Sequence, residues 1–195
     1  MRLSYGPTTA LIVVDVQNDF ADPAGSLAVS GGEDAIPFIN EQVAAAEEAG
    51  ALVVYTQDWH PPDTPHFAKD GGIWPVHCVN ATWGAELHPS LQVAGPTVLK
   101  GSGGEDGYSG FTVRDPDTGA TTPTELGELL RSRGIASIVV VGLATDYCVA
   151  ATACDGVAAG FAAEVLADGI RAVNLQPGDG ARAIAAMVAA GVSVS

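Results

Sequence analysis

Cys148 has the surroundings of a cysteine that does chemistry. It follows the apolar run Ala136–Gly142 and stands at the third position after Thr145, a candidate helix N-cap. A thiol in the first turn of a helix lies at the positive end of the helix dipole, which favours the thiolate that a nucleophile needs. The alternative is a small apolar core residue, and we keep that interpretation for Cys78 and Cys154.

Two ionisable residues end apolar runs elsewhere in the chain. Asp15 follows Leu11–Val14, and Lys100 ends the short run Thr97–Leu99 before a glycine-rich segment. A buried carboxylate costs desolvation energy unless a cation or hydrogen-bond donors meet it. A lysine beside it would keep both Asp15 and the Cys148 thiolate charged. The alternatives are an Asp15 that caps a turn and an ordinary solvated Lys100.

A candidate metal site begins at Asp58 and His60, which lie two residues apart and so share one face of an extended segment. His66 and His77 follow in the same stretch. Three histidines with one aspartate suit a divalent zinc, iron or manganese ion. The alternative is a closed structural zinc site that includes Cys78, because structural sites are usually rich in cysteine.

Strands and helices alternate along the chain, as judged from hydrophobic periodicity. Strands are predicted at Thr9–Val16, Ala51–Thr56, Pro96–Lys100, Ala136–Gly142 and Ala163–Ala167. Helices are predicted at Glu33–Gly50, Pro123–Gly134, Thr145–Gly160 and Pro177–Gly191. Because the strands are apolar on both faces and helical stretches separate them, we expect an α/β fold, a doubly wound parallel sheet flanked by helices on both faces.

The expected fold would bring separate candidate residues together. Ligands of open parallel sheets bind beyond the carboxyl ends of the strands. Asp15, Asp58, Lys100 and Ala144 all fall at such ends. We therefore expect the site to be assembled at this edge of the sheet.

The segment Gln57–Gly95 interrupts the alternation, because it has no convincing helix or strand yet holds all four histidines. Long loops in compact domains are usually functional or disordered, and the aromatic and histidine content of this segment argues against disorder. His88, which precedes a proline, is interpreted as a surface or turn residue.

Composition excludes several classes of function. Eight basic and 23 acidic residues give a formal charge of −15, which repels nucleic acids and anionic membrane surfaces. No apolar stretch is long enough to cross a bilayer, and the N-terminus does not resemble an export signal. The three cysteines cannot all pair. We expect one domain spanning residues 1–195, in the cytoplasm, with a homo-oligomer left open.

Taken together, these residues resemble the nicotinamidase branch of the isochorismatase-like cysteine hydrolases, over nearly the whole chain. The matching stretches are Ile12–Phe20, Asp58–His60, His66–Phe67, Trp74–Val79, Lys100–Gly101, Tyr108–Phe111 and Val141–Val149. They occur in the order and at the spacing typical of the family, which makes coincidence improbable.

The resemblance implies the isochorismatase-like hydrolase fold and hydrolysis of nicotinamide, and of pyrazinamide, through a cysteine thioester. The implied triad is Asp15, Lys100 and Cys148. The implied oxyanion donors are the backbone N–H groups of Ala144 and Cys148, next to a cis bond between Leu143 and Ala144.

The resemblance also implies a metal ion and a substrate pocket. The ligands of the ion would be Asp58, His60, His66 and His77, of which the His66 position is used in only some members. The substrate would contact Phe20, Trp74, Tyr108, Leu143 and Tyr147. Phe20 and Trp74 could instead be plain core residues.

The pattern departs from the family at two places, Tyr147, where some members carry histidine, and the glycine-rich acidic segment Gly101–Gly107. Both bear on substrate preference. Other interpretations remain: an amidohydrolase for another carbamoyl or ureido compound, an isochorismate hydrolase, or a metal-binding protein without catalysis. The histidine-rich loop speaks against the first, and the cysteine against the second.

Overall fold

The computed structural model describes residues 4–195. Its strands are β1 Thr9–Val14, β2 Leu52–Asp58, β3 Thr97–Lys100, β4 Thr112–Arg114, β5 Thr121–Pro123, β6 Ser137–Leu143, β7 Ala162–Arg171 and β8 Ser193–Val194. Its α-helices are α1 Asn18–Ala21, α2 Ile36–Glu48, α3 Leu126–Ser132, α4 Ala150–Ala158 and α5 Asp179–Ala189. Short 3₁₀ turns span Glu33–Ala35, Ala68–Asp70 and Trp83–Ala85, and a π-helical turn spans Thr145–Val149.

Six strands form one sheet in the order β3-β2-β1-β6-β7-β8, and each neighbouring pair is parallel. The chain first builds outward from β1 to β3 and then returns to the other side of β1 with β6. The strand order therefore reverses between β1 and β6, and in doubly wound sheets ligands bind in the crevice at this reversal. The predicted parallel sheet is confirmed.

Helices cover both faces of the sheet because side chains along β1 point alternately to opposite sides. Leu11 belongs to a core cluster with Ile39 of α2. Ile12 belongs to a second cluster with Leu130 of α3 and Met187 of α5. Strands that are buried on both faces explain the continuous apolar runs in the sequence.

The strands differ from the sequence prediction mainly in the length of β7 and in three short additional strands. Strand β7 continues past the predicted Ala163–Ala167 to Arg171, since a register shift between Val140 and Gly142 lets it pair again with the end of β6. The β4–β5 hairpin and β8 were not predicted. Each of these three strands has only two or three residues, too few to show a periodic pattern.

Within the described residues, no helix is long and apolar enough to span a membrane.

Gly142 should be irreplaceable at the end of β6, where it pairs with Val14. Its φ is +116°, and a Cβ placed there would lie 2.1 Å from the Val14 carbonyl oxygen. We expect Gly142→Ala to lower the free energy of unfolding by about 2–5 kcal/mol, the sum of backbone strain and steric overlap.

Gly160→Ala is the matched control, because Gly160 also has a positive φ of +95° but nothing lies within 4 Å of the methyl group that alanine would add. It should cost only the backbone strain, about 1–2 kcal/mol. Urea unfolding of both variants measures the difference. Equal losses of unfolding free energy in the two variants would show that the close contact with Val14 does not contribute to the cost of replacing Gly142.

Candidate active site and metal centre

The centre of the site is the ammonium group of Lys100, at the end of β3. Its Nζ lies 2.7 Å from Asp15 Oδ2 and 2.5 Å from Asp58 Oδ1, and it donates to the Gly107 carbonyl. The Sγ of Cys148 lies 3.9 Å from the same nitrogen. All four side chains are buried. The expected meeting of strand ends at one edge of the sheet therefore occurs.

Charge balance decides the protonation of these groups. Burial opposes ionisation of Asp58, but the attraction of Lys100 and the proximity of His60 and His77 keep its pKa well below the usual range. Burial lowers the pKa of Lys100, but Asp15 and Asp58 outweigh that effect and raise it well above the usual value. Lys100 is therefore a positively charged ammonium group that lies between the carboxyl groups of Asp15 and Asp58.

Asp15 follows β1 in a left-handed backbone conformation with φ of +50°. Its Oδ1 accepts a 2.6 Å hydrogen bond from the Thr56 hydroxyl, and its Oδ2 accepts the one from Lys100. Burial raises the pKa of Asp15, and the attraction of Lys100 offsets this only in part. A carboxylate with a raised pKa is a stronger proton acceptor than an exposed one.

The N-cap expected at Thr145 is wrong, although Cys148 does lie in the helical turn that leads into α4. Thr145 is the first residue of a π-helical turn and not a cap, while the cap position is Ala144, which makes no side-chain capping bond. Burial raises the pKa of the Cys148 thiol well above its usual value, although Lys100 acts in the opposite direction. The thiol is thus protonated at neutral pH and needs a base. The base is close at hand, because one carboxylate oxygen from each of Asp15 and Asp58 and the Sγ of Cys148 lie within 4.8 Å of one another.

The π-helical turn also sets the backbone around Cys148. The Ala144 carbonyl accepts from the N–H groups of Tyr147 and Val149, each at 3.1 Å. The residues before and after Cys148 thus donate to this carbonyl, whereas the Cys148 N–H does not. The peptide bond between Leu143 and Ala144 is cis, as the resemblance implied.

Three histidines from the long loop form a cluster beside this charged centre. One ring nitrogen from each of His60, His66 and His77 lies within 4.8 Å of the others. Asp58 Oδ2 faces the cluster, 3.8 Å from His60 Nε2 and 4.0 Å from His77 Nε2. The sequence-predicted ligands therefore meet, with Asp58 shared between the cluster and Lys100.

The cluster fits a metal ion on two grounds. Both ring nitrogens of His60 are buried and have no hydrogen-bond partner among the described residues. Such orphaned polar atoms are costly unless an ion or a donor meets them. Burial also lowers the pKa of His77 to about 4 and lowers that of His66, so both are neutral and have a lone pair to offer.

Hydrogen bonds at the far side of two rings determine which nitrogen is free. His77 Nδ1 lies 2.7 Å from the Pro75 carbonyl oxygen, and His66 Nδ1 lies 2.7 Å from Asp106 Oδ1. Because both partners are acceptors, each Nδ1 bears the proton and each Nε2 is left for a ligand bond.

A cavity opens onto both the Cys148 thiol and two of the histidines, His66 and His77. Its lining includes the expected residues Phe20, Trp74, Tyr108, Leu143, Ala144, Tyr147 and Cys148, together with Asp58, His66 and His77. Trp74 Nε1 donates to the Tyr108 hydroxyl at 2.8 Å, and the Trp74 and Tyr147 rings meet edge to face at 4.8 Å. The walls are therefore aromatic and mutually braced.

Sequence reasoning missed several residues of the site. Leu27, Val29 and Val173 complete the apolar walls of the cavity. Gln17 is fully buried, and its side-chain amide donates to the Asp58 carbonyl and accepts from the Asp58 N–H, each at 2.8 Å. The available signal in the sequence was a polar glutamine between Val16 and the next residues of the motif, shortly after the apolar strand β1.

Two residues near the three-histidine cluster, Asp19 and His88, could be placed only from the structure. Asp19 Oδ2 accepts the N–H of Cys78 at 2.7 Å, beside His77. His88 is buried, which corrects the expectation of a surface residue, though it does lie at a turn in which the Leu91 N–H donates to its carbonyl. Cys78 is buried in the core, and Cys154 is partly buried beside the second core cluster.

Comparison with known proteins identifies the family. A model of the isochorismatase domain matches residues 9–195. The nicotinamidase of Escherichia coli strain K12 is 36% identical, over 96% of this chain and 94% of its own length.

Solved structures agree with the sequence comparison. The pyrazinamidase of Pyrococcus horikoshii in complex with zinc superposes with a TM-score of 0.86 at 38% identity, covering 97% of this chain and 99% of its own. The PnC1 protein of L. infantum in complex with nicotinate superposes with a TM-score of 0.88 at 35% identity, covering 100% and 96%. The predicted isochorismatase-like fold is thereby confirmed, and the chain belongs to the isochorismatase family.

Proposed function

We propose that this protein is an amidohydrolase that converts nicotinamide to nicotinate and ammonia. The observation that carries the proposal is that one aromatic cavity is lined both by Cys148, beside which Asp15 is buried, and by His66 and His77 of the three-histidine cluster. Relatives named for nicotinamide or pyrazinamide hydrolysis, at 36% identity and above over most of the chain, support the same activity.

The cavity suits a small flat amide. Its walls of Phe20, Trp74 and Tyr147 offer apolar contact to the faces of one aromatic ring beside the Cys148 thiol. Pyrazinamide presents a ring nitrogen at the corresponding position, so it should be accepted as well.

The first stage is acyl transfer to the cysteine. Asp15 takes the proton of the Cys148 thiol, and the thiolate attacks the carboxamide carbon. The backbone N–H groups of Ala144 and Cys148 stabilise the resulting oxyanion, an effect worth about 3–4 kcal/mol per donor in comparable sites. Lys100 contacts Asp15 and the Cys148 sulfur, so its positive charge lowers the free-energy cost of a negative charge on the sulfur.

The second stage reuses the same carboxyl group. Protonated Asp15 gives its proton to the departing ammonia, which leaves a thioester on Cys148. Asp15 then takes a proton from water, and the hydroxide attacks the thioester carbonyl. The C–S bond breaks, Asp15 returns its proton to the sulfur, and the acid product loses its own proton to solvent and leaves as nicotinate. A base with a raised pKa suits both directions of proton transfer.

Asp58, His60, His66 and His77 would hold one divalent ion, with zinc, iron and manganese as the ions that this ligand set accepts. When bound, the ion supplies a Lewis acid that holds and orients the ring nitrogen of the substrate. Phe20 lies 5.4 Å from His77, ring to ring, and so flanks the same end of the cavity.

We also propose that the protein works in a reducing compartment, the cytoplasm, as one hydrolase domain. All three cysteines are free thiols, and the nucleophile must stay reduced to act. Strands from both halves of the sheet contribute to a single site, which supports one domain.

Replacing Cys148 by alanine should abolish ammonia release from nicotinamide, because no other group would form the thioester. Cys154→Ala is the matched control and should keep near wild-type turnover, since Cys154 lies outside the cavity. An ammonia-release assay measures both. Substantial turnover by Cys148→Ala, or no turnover of nicotinamide by the wild-type enzyme, would refute the proposal.

Lys100→Met should remove a buried cation while keeping an unbranched side chain of similar length. Two carboxyl groups would lose their counter-charge, and we expect the free energy of unfolding to fall by about 3–5 kcal/mol at neutral pH. Alkylation of Cys148 should shift to higher pH, because Lys100 lowers the pKa of that thiol.

Urea unfolding and iodoacetamide labelling against pH measure these two effects. Lys69→Met serves as the control, because Lys69 pairs with Asp63 and Asp70 at the surface and should change neither quantity. An unchanged labelling profile in Lys100→Met would show that the ammonium does not act on the thiol.

Removal of metal should cost activity far more than structure. The two core clusters are built mainly from strands and helices outside the histidine loop, so the chelated protein should keep its circular dichroism and a cooperative melt. Ammonia release should stop and return when zinc is added.

His60→Ala should fold and lose metal, whereas His88→Ala, at a buried histidine outside the cluster, should keep it. Metal analysis of both proteins checks this. Unfolding on chelation, or turnover with the ion demonstrably absent, would contradict an orienting role.

A further inference from the structure

Asp106 lies in the glycine-rich acidic segment Gly101–Gly107, outside every motif that carries the resemblance. Its Oδ1 lies 2.7 Å from Nδ1 of His66, and its side chain is 13% exposed. We propose that Asp106 is a positioning residue that makes His66 a direct metal ligand in this protein. The inference rests on the proposed function, since it concerns the same metal site.

The contact determines what His66 offers to the cluster. A carboxylate can only accept a hydrogen bond, so His66 Nδ1 bears the proton and Nε2 keeps its lone pair. A negative partner also makes the ring a stronger donor to a cation. Among the three histidines, His66 has an acidic side chain as its Nδ1 partner, whereas His77 uses the Pro75 carbonyl.

The position of Asp106 is itself determined by the β4–β5 hairpin. Its N–H donates to the Arg114 carbonyl at 2.8 Å, and the Arg114 N–H donates back at 3.0 Å. The Arg114 guanidinium lies 3.9 Å from Asp106 Oδ2, the oxygen that His66 does not contact. Backbone hydrogen bonds of Asp106 and the ion pair at its Oδ2 thus hold the carboxylate in place.

The next residue ties this segment to the catalytic centre. The Gly107 carbonyl accepts from Lys100, and a Cβ at Gly107 would lie 2.8 Å from Asp58 Oδ1. Glycine therefore lets the segment pass close enough to Asp58 for Asp106 to reach His66. One short stretch of chain contacts both the ammonium and a ring of the metal cluster.

The charges are consistent with this role. Asp58 and Asp106 supply two carboxylates around the three histidines. A divalent cation would be balanced by the two carboxylates. Removing Asp106 would leave the site with one negative charge and His66 free to adopt the other tautomer or to rotate.

The test measures zinc affinity directly, by competition with a chromophoric chelator on the purified full-length protein. Loss of a carboxylate that orients a ligating histidine typically costs 10–100-fold in affinity. We expect about that loss in Asp106→Ala, and a smaller one in Asp106→Asn, which keeps an acceptor oxygen and the shape of the side chain. Asp117→Asn is the control, because it makes the same change on an exposed turn nearby.

A double-mutant cycle separates positioning from general damage. In the His66→Ala background, Asp106→Ala should cause no further loss of zinc affinity, since its effect passes through the ring. Turnover of Asp106→Ala should recover at saturating zinc, with kcat near that of the wild type, which a collapsed pocket would not allow.

The inference is overturned if Asp106→Ala and Asp106→Asn both stay within twofold of wild-type zinc affinity. It is also overturned if their losses persist undiminished in the His66→Ala background. Zinc binding by the wild type without nicotinamide turnover would instead refute the proposed function and leave the role of Asp106 standing, so the two failures are distinguishable.

Discussion

The structure of the site depends on one buried ammonium group between two buried carboxyl groups. Parallel strands bring Asp15 and Asp58 to the same edge of the sheet, where they would repel each other at low dielectric without Lys100. Taking one cation and two acidic groups out of water is expensive, and close hydrogen-bonded contact is the condition under which such burial is tolerated. The lysine makes the convergence of these strands possible.

The two oxygens of Asp58 divide the site into connected halves. Oδ1 contacts Lys100 on the side of the thiol, while Oδ2 faces His60 and His77. Gln17 fixes the backbone of Asp58 from the strand β1 side. The proposed chemistry at sulfur and the proposed binding of an ion are therefore held by the same carboxylate, which limits how far either half moves without the other.

The sheet and the strand-end residues were predictable because strand burial leaves a continuous apolar pattern and parallel strands end together. Contacts between distant segments were not. Asp106 reaches His66 across 40 residues, and nothing in its local sequence shows that bond. The acidity of Cys148 was misjudged for a related reason. A helix dipole is a local property, while burial, which raises the pKa of the thiol, depends on the whole fold.

The π-helical turn after β6 determines which parts of the site an amino-acid substitution can change. The Cys148 N–H, a proposed oxyanion donor, belongs to the main chain and to the same residue as the sulfur. Any amino acid except proline at a donor position retains this group, so ordinary substitutions cannot delete it. Substitutions in the cavity walls can therefore change the shape of the pocket without removing this donor, which stays covalently attached to the residue that carries the nucleophile.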